Sequence, residues 1–192
     1  MAARVNAWFH RQLATWAALL GRHEIALDHW RAVRRWRPAD PGPPAAIAHL
    51  LAGAGRRDEA IAALQASLEL DATQAAGWFN LGFLQQEQGE HHAALASFDR
   101  ALALDQRLDR AWYGKALSLI KLDRVPEAIP LLRRNTELQP MSPFGWYQLA
   151  RVHVDRQQPD EAMKIIRHLK GFEPKVAAQL ERETGLRIAQ GS

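Results

Sequence analysis

Residues 75–108 read AAGWFNLGFLQQEQGEHHAALASFDRALALDQRL, and this stretch decides the fold because the rest of the chain repeats it. Steps of 34 residues connect Trp78, Trp112 and Trp146, while the two steps backwards reach Pro44 and His10. Alanine keeps the phase more evenly, at Ala26, Ala60, Ala94, Ala128 and Ala162. Ala14, Ala48, Gly82, Ala116 and Ala150 are all small, which lets two helices of one unit approach closely. Trp30, Leu64, Phe98, Leu132 and Ile166 are large and apolar, which fills the gap between units. Gly21, Gly55 and Gly89 fall in the turns, where a positive φ costs glycine little. Pro38, Pro140 and Pro174 close three of the second helices, because proline cannot continue them. The period divides the chain without insertion into units 7–40, 41–74, 75–108, 109–142 and 143–176. Asp123 and Gln157 stand in for the turn glycine, Ala72 and Gln106 for the terminal proline, and Lys115 for a leucine.

Trp78, Leu81 and Gly82, followed by Ala94 and Phe98, resemble the tetratricopeptide repeat, with its W-x2-L-G and later A-x3-F spacing over two antiparallel helices. The resemblance runs from residue 7 to residue 176. It implies an all-α fold: a right-handed α-solenoid of five tandem helix-turn-helix repeats in a single domain, 1–192, closed by a capping helix over 177–190. In that last segment Val176, Ala177, Leu180 and Ile188 form the apolar stripe, and Glu183 and Thr184 make its back polar, as the end of a stacked array requires.

Residues 37–44, RPADPGPP, are the one linker-like stretch, and the retained phase marks them as a stiff turn between repeats. Pro130 lies one turn inside a second helix, where a local kink is expected. In repeat one, Trp30, Val33 and Trp36 share an apolar stripe and read as core.

With 192 residues, five repeats leave no room for a separate catalytic domain. The absence of cysteine excludes disulfides, thiol catalysis and cysteine-ligated metal. Net charge is +4, and 24% charged residues of both signs describe an ordinary solvated surface. His10, Arg11, Gln12 and Thr15 interrupt the apolar residues near the N-terminus, so a secretory signal is not expected. No apolar run is long enough for a membrane span, and a cytoplasmic protein is expected.

No cofactor, metal or catalytic residue is expected. His23 and His29 are six apart, about 240° around a helix, whereas a zinc pair on a helix sits at i and i+4. His91 and His92 are adjacent and diverge. Residues 53–55, GAG, lack the third glycine and the lysine of a phosphate loop.

Function is therefore expected on the surface. The resemblance implies that the second, fifth, ninth and twelfth residues of each unit face a concave groove. Those places hold Trp8, Arg11, Thr15 and Ala18, then Gly42, Ala45, His49 and Ala52. The later units give Ala76, Phe79, Phe83 and Gln86; Arg110, Tyr113, Leu117 and Ile120; and Phe144, Tyr147, Arg151 and Val154. The candidate partner-binding groove is thus Phe79, Phe83, Gln86, Arg110, Tyr113, Leu117, Ile120, Phe144, Tyr147 and Arg151. Its apolar and aromatic character suits a partner's amphipathic helix or an extended apolar segment, with Arg110 and Arg151 placed for carboxylates.

The lysine and asparagine clamp of chaperone-binding members is absent, since Arg11, Thr15 and Ala46 occupy its places. Asn80 matches a groove asparagine, but Gln12, Ala46, Gly114 and Gln148 break that ladder. The function expected is a non-enzymatic adaptor, scaffold or assembly factor. Its rival is nucleic-acid or anionic-surface binding through Arg31, Arg34, Arg35, Arg37, Arg56 and Arg57, beside Trp30 and Trp36. A third reading is a self-associating scaffold joined through the aromatic groove.

Overall fold

The computed structural model describes residues 2–186. Among them are eleven α-helices and no strand. The helices pair as the period dictates: α1 (Ala2–Leu19) with α2 (His23–Trp36), α3 (Gly42–Gly53) with α4 (Arg57–Leu70), and α5 (Ala75–Glu87) with α6 (His91–Leu104). Then come α7 (Asp109–Lys121) with α8 (Val125–Leu138), α9 (Pro143–Asp155) with α10 (Pro159–Lys170), and α11 (Pro174–Thr184). The chain forms two compact units, Met1–Asp105 and Gln106–Ser192.

The register alanines Ala26, Ala60, Ala94, Ala128 and Ala162 all have no exposed surface, as do Phe98, Leu132 and Ile166. A side chain larger than alanine would hold the two helices of a unit apart, so burial and small size go together here. The tryptophans have a second task, because each is only half-buried. The Nε1–H groups of Trp78, Trp112 and Trp146 donate to the carbonyls of Ala72, Gln106 and Pro140, each at 2.9 Å and each six residues back. Every one of these indoles therefore ties the turn before its helix to the helix itself.

Gly21, Gly55 and Gly89 adopt φ of 70–79° in the turns within repeats. Asp123 and Gln157 adopt the same left-handed conformation, at 59° and 57°. The cause is visible at the second of these. Gln157 and Gln158 donate their backbone N–H groups to the carbonyls of Val154 and His153, at 2.9 Å each, and so close the helix end as Gly89 and Glu90 do on Gln86 and Gln85. An exposed glutamine gains nothing from that conformation, whereas aspartate tolerates it better. Gln157→Gly is expected to stabilise the chain by about 0.5–1 kcal/mol, the left-handed penalty less the added chain entropy of glycine. Thermal melting should show a rise of about 2 °C.

The proline stretch lies inside the first unit, and it is a turn. Asp40 accepts the backbone N–H of Gly42 at 3.0 Å and a guanidinium N–H of Arg11 at 3.0 Å, while Pro43 and Pro44 start α3 and are buried. Helix α8 runs from Val125 to Leu138 through the exposed Pro130. Trp36 is not core: it is 45% exposed, whereas Val33 is fully buried and Trp30 half-buried under the guanidinium of Arg11. The 3.6-residue spacing puts Trp36 beside the buried face, but it lies at the helix end, where nothing in its own repeat covers it. The final helix starts at Pro174, three residues before the expected boundary, because proline fits the first turn of a helix better than the end of one. Ala177 and Leu180 bury its inner face, and Gly185, with φ of 72°, ends it. Ile188 lies outside the described residues.

Candidate functional site

The expected groove residues fall in both units. In the first unit Phe79 is buried, with its ring 6.1 Å from that of Phe98 and 6.4 Å from that of Phe83. Phe79 is expected to line the groove; it instead lies beneath Phe83 and packs on Phe98, which fills the space beside Gly82. Phe83 is 47% exposed. It borders a cavity of about 220 Å³ together with Ala45, His49 and Ala52 of α3 and Asn80 of α5, with Leu64 and Leu84 among its other lining residues. Of these, Ala45, His49, Ala52 and Phe83 are groove places of repeats two and three. The alanines make the cavity, since larger residues on α3 would fill it. Gln86 is half-buried, one helical turn beyond Phe83.

In the second unit a cleft of about 300 Å³ is lined by Tyr113, Pro143, Phe144, Tyr147, Gln148, Val176 and Gln179. It draws on α7, α9 and α11. Phe144 is exposed at its edge, while Tyr113 is half-buried. Burial pushes the Tyr113 phenol above its ordinary value, and a hydrogen bond with Gln148 opposes that shift. Leu117 and Ile120 are half-buried along α7, and Arg110 is exposed near its start.

Tyr147 and Arg151 already hold a carboxylate, and it belongs to this chain. The Tyr147 hydroxyl donates to Glu183 Oε2 at 2.6 Å, and Arg151 Nη1 reaches the same oxygen at 3.3 Å. Hydrogen bonds from Tyr147 and Gln179, together with the nearby Arg151 charge, hold the Glu183 carboxyl below the usual range. The contact is not legible in the sequence because Glu183, in register with Leu149, stands where the repeat has a leucine, and its 32-residue separation from Arg151 matches no period. What the two residues have in hand nevertheless shows the chemistry they accept: a single carboxylate oxygen approached by a phenol and a guanidinium.

Among the described residues no cluster of histidine, aspartate and glutamate could hold a metal. His29 meets His10 instead, Nδ1 to Nδ1 at 2.8 Å. No helix among them is long and apolar enough to cross a membrane. Four of the six arginines of the basic surface face carboxylates: Arg31 meets Asp28, Arg37 meets Asp40, Arg56 meets Glu24 and Glu59, and Arg57 meets Glu87.

Solved structures share this architecture at low sequence identity. One is MamA, with a TM-score of 0.83 and 17% identity over 96% of this chain and 98% of that one. Another is a tetratricopeptide repeat protein from Parabacteroides merdae, with a TM-score of 0.82 and 19% identity over 94% of this chain and 74% of that one. A third is YrrB, described as a TPR protein with an unusual peptide-binding site, with a TM-score of 0.79 and 14% identity over 90% of each chain. A sequence search of curated proteins gave no match. The tetratricopeptide repeat family description matches residues 45–106 and 84–143, more than half of the chain. With that match, the buried alanine register and the paired helices, the chain is a member of the tetratricopeptide repeat family, an all-α solenoid.

Proposed function

We propose that this chain is a non-enzymatic adaptor, scaffold or assembly factor that binds another protein through the outward face of the first helix of its repeats. The family is one of protein-interaction modules and is generally non-catalytic. The observation that carries the reading is the placing of exposed aromatic rings at groove places beside ready-made clefts. Phe83 stands by the alanine-walled cavity, and Phe144 by the cleft of Tyr113 and Tyr147. A solvent-facing helix surface is ordinarily polar, and an exposed phenylalanine beside an empty apolar cleft gains most when a partner's apolar side chain fills it. The partner offers an amphipathic segment, helical or extended, whose apolar side meets the exposed ring of a unit. Arg110 supplies a charge for its acidic side, and the protein works in the cytoplasm.

The paired arginines support this reading over nucleic-acid binding. An arginine that already faces a carboxylate releases fewer counterions on meeting phosphate.

Phe83→Ala with Phe144→Ala is the test, because both rings are exposed and their loss leaves the core intact. Capture of a partner by the immobilised protein, followed by mass spectrometry, is expected to fall by about tenfold or more, the scale of losing interface anchors. Circular dichroism should be unchanged. Undiminished capture by a folded double variant sinks the groove assignment.

A further inference from the structure

Helix α1 is built the wrong way round for a surface helix. Its inner face is Ala7, Ala14 and Ala17, all buried, while its outer face carries Val5, Trp8, Phe9, Trp16 and Leu19, each more than half exposed, with the equally exposed Leu20 in the turn that follows. At 100° per residue Val5, Trp8, Phe9, Trp16 and Leu19 lie within about a third of the helix circumference, with the exposed Gln12 among them, so they form an apolar face that one polar residue interrupts.

Register identifies the face. The counterparts of Trp16 in the later repeats are Leu50, Leu84, Ser118 and Val152, and every one is buried; Trp16 is 63% exposed. The counterparts of Phe9 are Pro43, Gly77, Ala111 and Gly145. Within the first unit this side of α3 and α5 packs on the preceding α2 and α4. No described helix covers the same side of α1.

Two observations decide what covers it. First, the Phe9 place is one of closest approach: a Cβ on Gly77 would lie 3.0 Å from Leu68, and one on Gly145 would lie 2.1 Å from Asn135. A phenylalanine there, and a tryptophan at the neighbouring stacking place, block a further repeat from docking in the ordinary way, including the end of a second copy. Second, residues 1–40 carry seven arginines against Glu24, Asp28 and Asp40, a net +4 equal to that of the entire chain. Two copies meeting here would bring like charges together. Arg4 and Arg37 share a cleft with the exposed Trp36, which sets guanidinium groups beside an aromatic ring at the start of the stripe. Tryptophan, phenylalanine and leucine on one helical face with arginine around them suit the headgroup and acyl boundary of a bilayer.

We infer that α1 is a membrane-surface anchor, lying in the interface of an anionic phospholipid bilayer with Val5, Phe9, Trp16 and Leu20 inserted and with Arg4, Arg34 and Arg35, rather than the carboxylate-paired Arg11, Arg31 and Arg37, on the headgroups. The helix is interfacial and does not span, in keeping with its alternation of large apolar residues and alanines. Of the groove places only Trp8 lies on this face, and Phe83 and Phe144 are not used.

The test is co-sedimentation with vesicles of equal parts phosphatidylcholine and phosphatidylglycerol, compared with phosphatidylcholine alone. The protein is expected to pellet with the mixed vesicles and to be released by added salt, because the charge attraction is screened. Phe9→Ser with Trp16→Gln should lower the bound fraction by about tenfold with no change in the melting curve. Leu19→Ser with Leu20→Ser should act alike if the first pair proves unstable. Phe83→Ala with Phe144→Ala should pellet as the unaltered protein does, which separates this surface from the groove. The inference is overturned if neither vesicle binds, if the stripe variants pellet normally, or if light scattering shows a lipid-free dimer that the stripe variants abolish.

Discussion

Phe98→Ala is expected to cost about 3–5 kcal/mol and to abolish the cooperative melting of repeat three. The ring has no exposed surface, and it lies against Phe79 on one side and against the bare backbone of Gly82 on the other, where a Cβ would sit 2.9 Å from two ring carbons. Truncation removes the apolar contacts and leaves a cavity between two helices that cannot close, since their separation is also held by Ala94 and by the neighbouring repeats. Urea denaturation followed by circular dichroism measures the loss. A cost below about 1 kcal/mol would show that α5 and α6 collapse into the space, and that the large residue between these two helices is not what spaces them.

The second large effect comes from adding a single carbon. In Gly145→Ala the new Cβ would lie 2.1 Å from Asn135 Oδ1 and 3.1 Å from Thr136 Cγ2. Asn135 cannot simply step aside, because it is buried and its amide donates to the carbonyl of Asp109 at 3.0 Å. Either α9 shifts away from α8 or the asparagine swings out and leaves that carbonyl without its partner. Overpacking and an unmade hydrogen bond each fall in the range of about 1–3 kcal/mol. Combining the change with Asn135→Ala removes the clash, so the two losses should fall short of additivity by at least about 1 kcal/mol in a double-mutant cycle. Simple additivity would mean that the helices part without strain.

The first effect is a consequence of the repeat, and the repeat was legible in the sequence, whereas the second is not, since Pro43, Gly77 and Ala111 stand at the counterparts of Gly145. Positions such as Ala26 and its four counterparts feel one environment five times over, so a rule that is weak at a single place becomes strong across the set. The same logic fails where a residue answers to only one neighbour. Gln157 stands where the period puts a turn glycine, and its residue type gives no sign of the left-handed conformation that the hydrogen bonds closing α9 impose. Glu183 reaches Tyr147 and Arg151 once, at a separation with no period. Periodicity also tells which way a side chain points without telling what lies there, so Trp36 read as core and Phe79 as surface, and the structure exchanges them. Of the groove, Phe83 and Phe144 could be read in advance as aromatic residues at outward places, but the clefts beside them depend on the size of residues on the adjacent helices.

The indoles of Trp78, Trp112 and Trp146 act as rulers. Each spans a fixed interval, from the carbonyl six residues back to its own ring nitrogen. One residue added to that interval would carry the carbonyl beyond the ring's reach and strand an N–H group. Drift in the length of these linkers is thereby penalised by a side chain as well as by the helices it joins. The uniform spacing of repeats three to five is a measured distance, renewed in each of them, and the interval before Pro44, which has no such gauge, is kept by prolines instead.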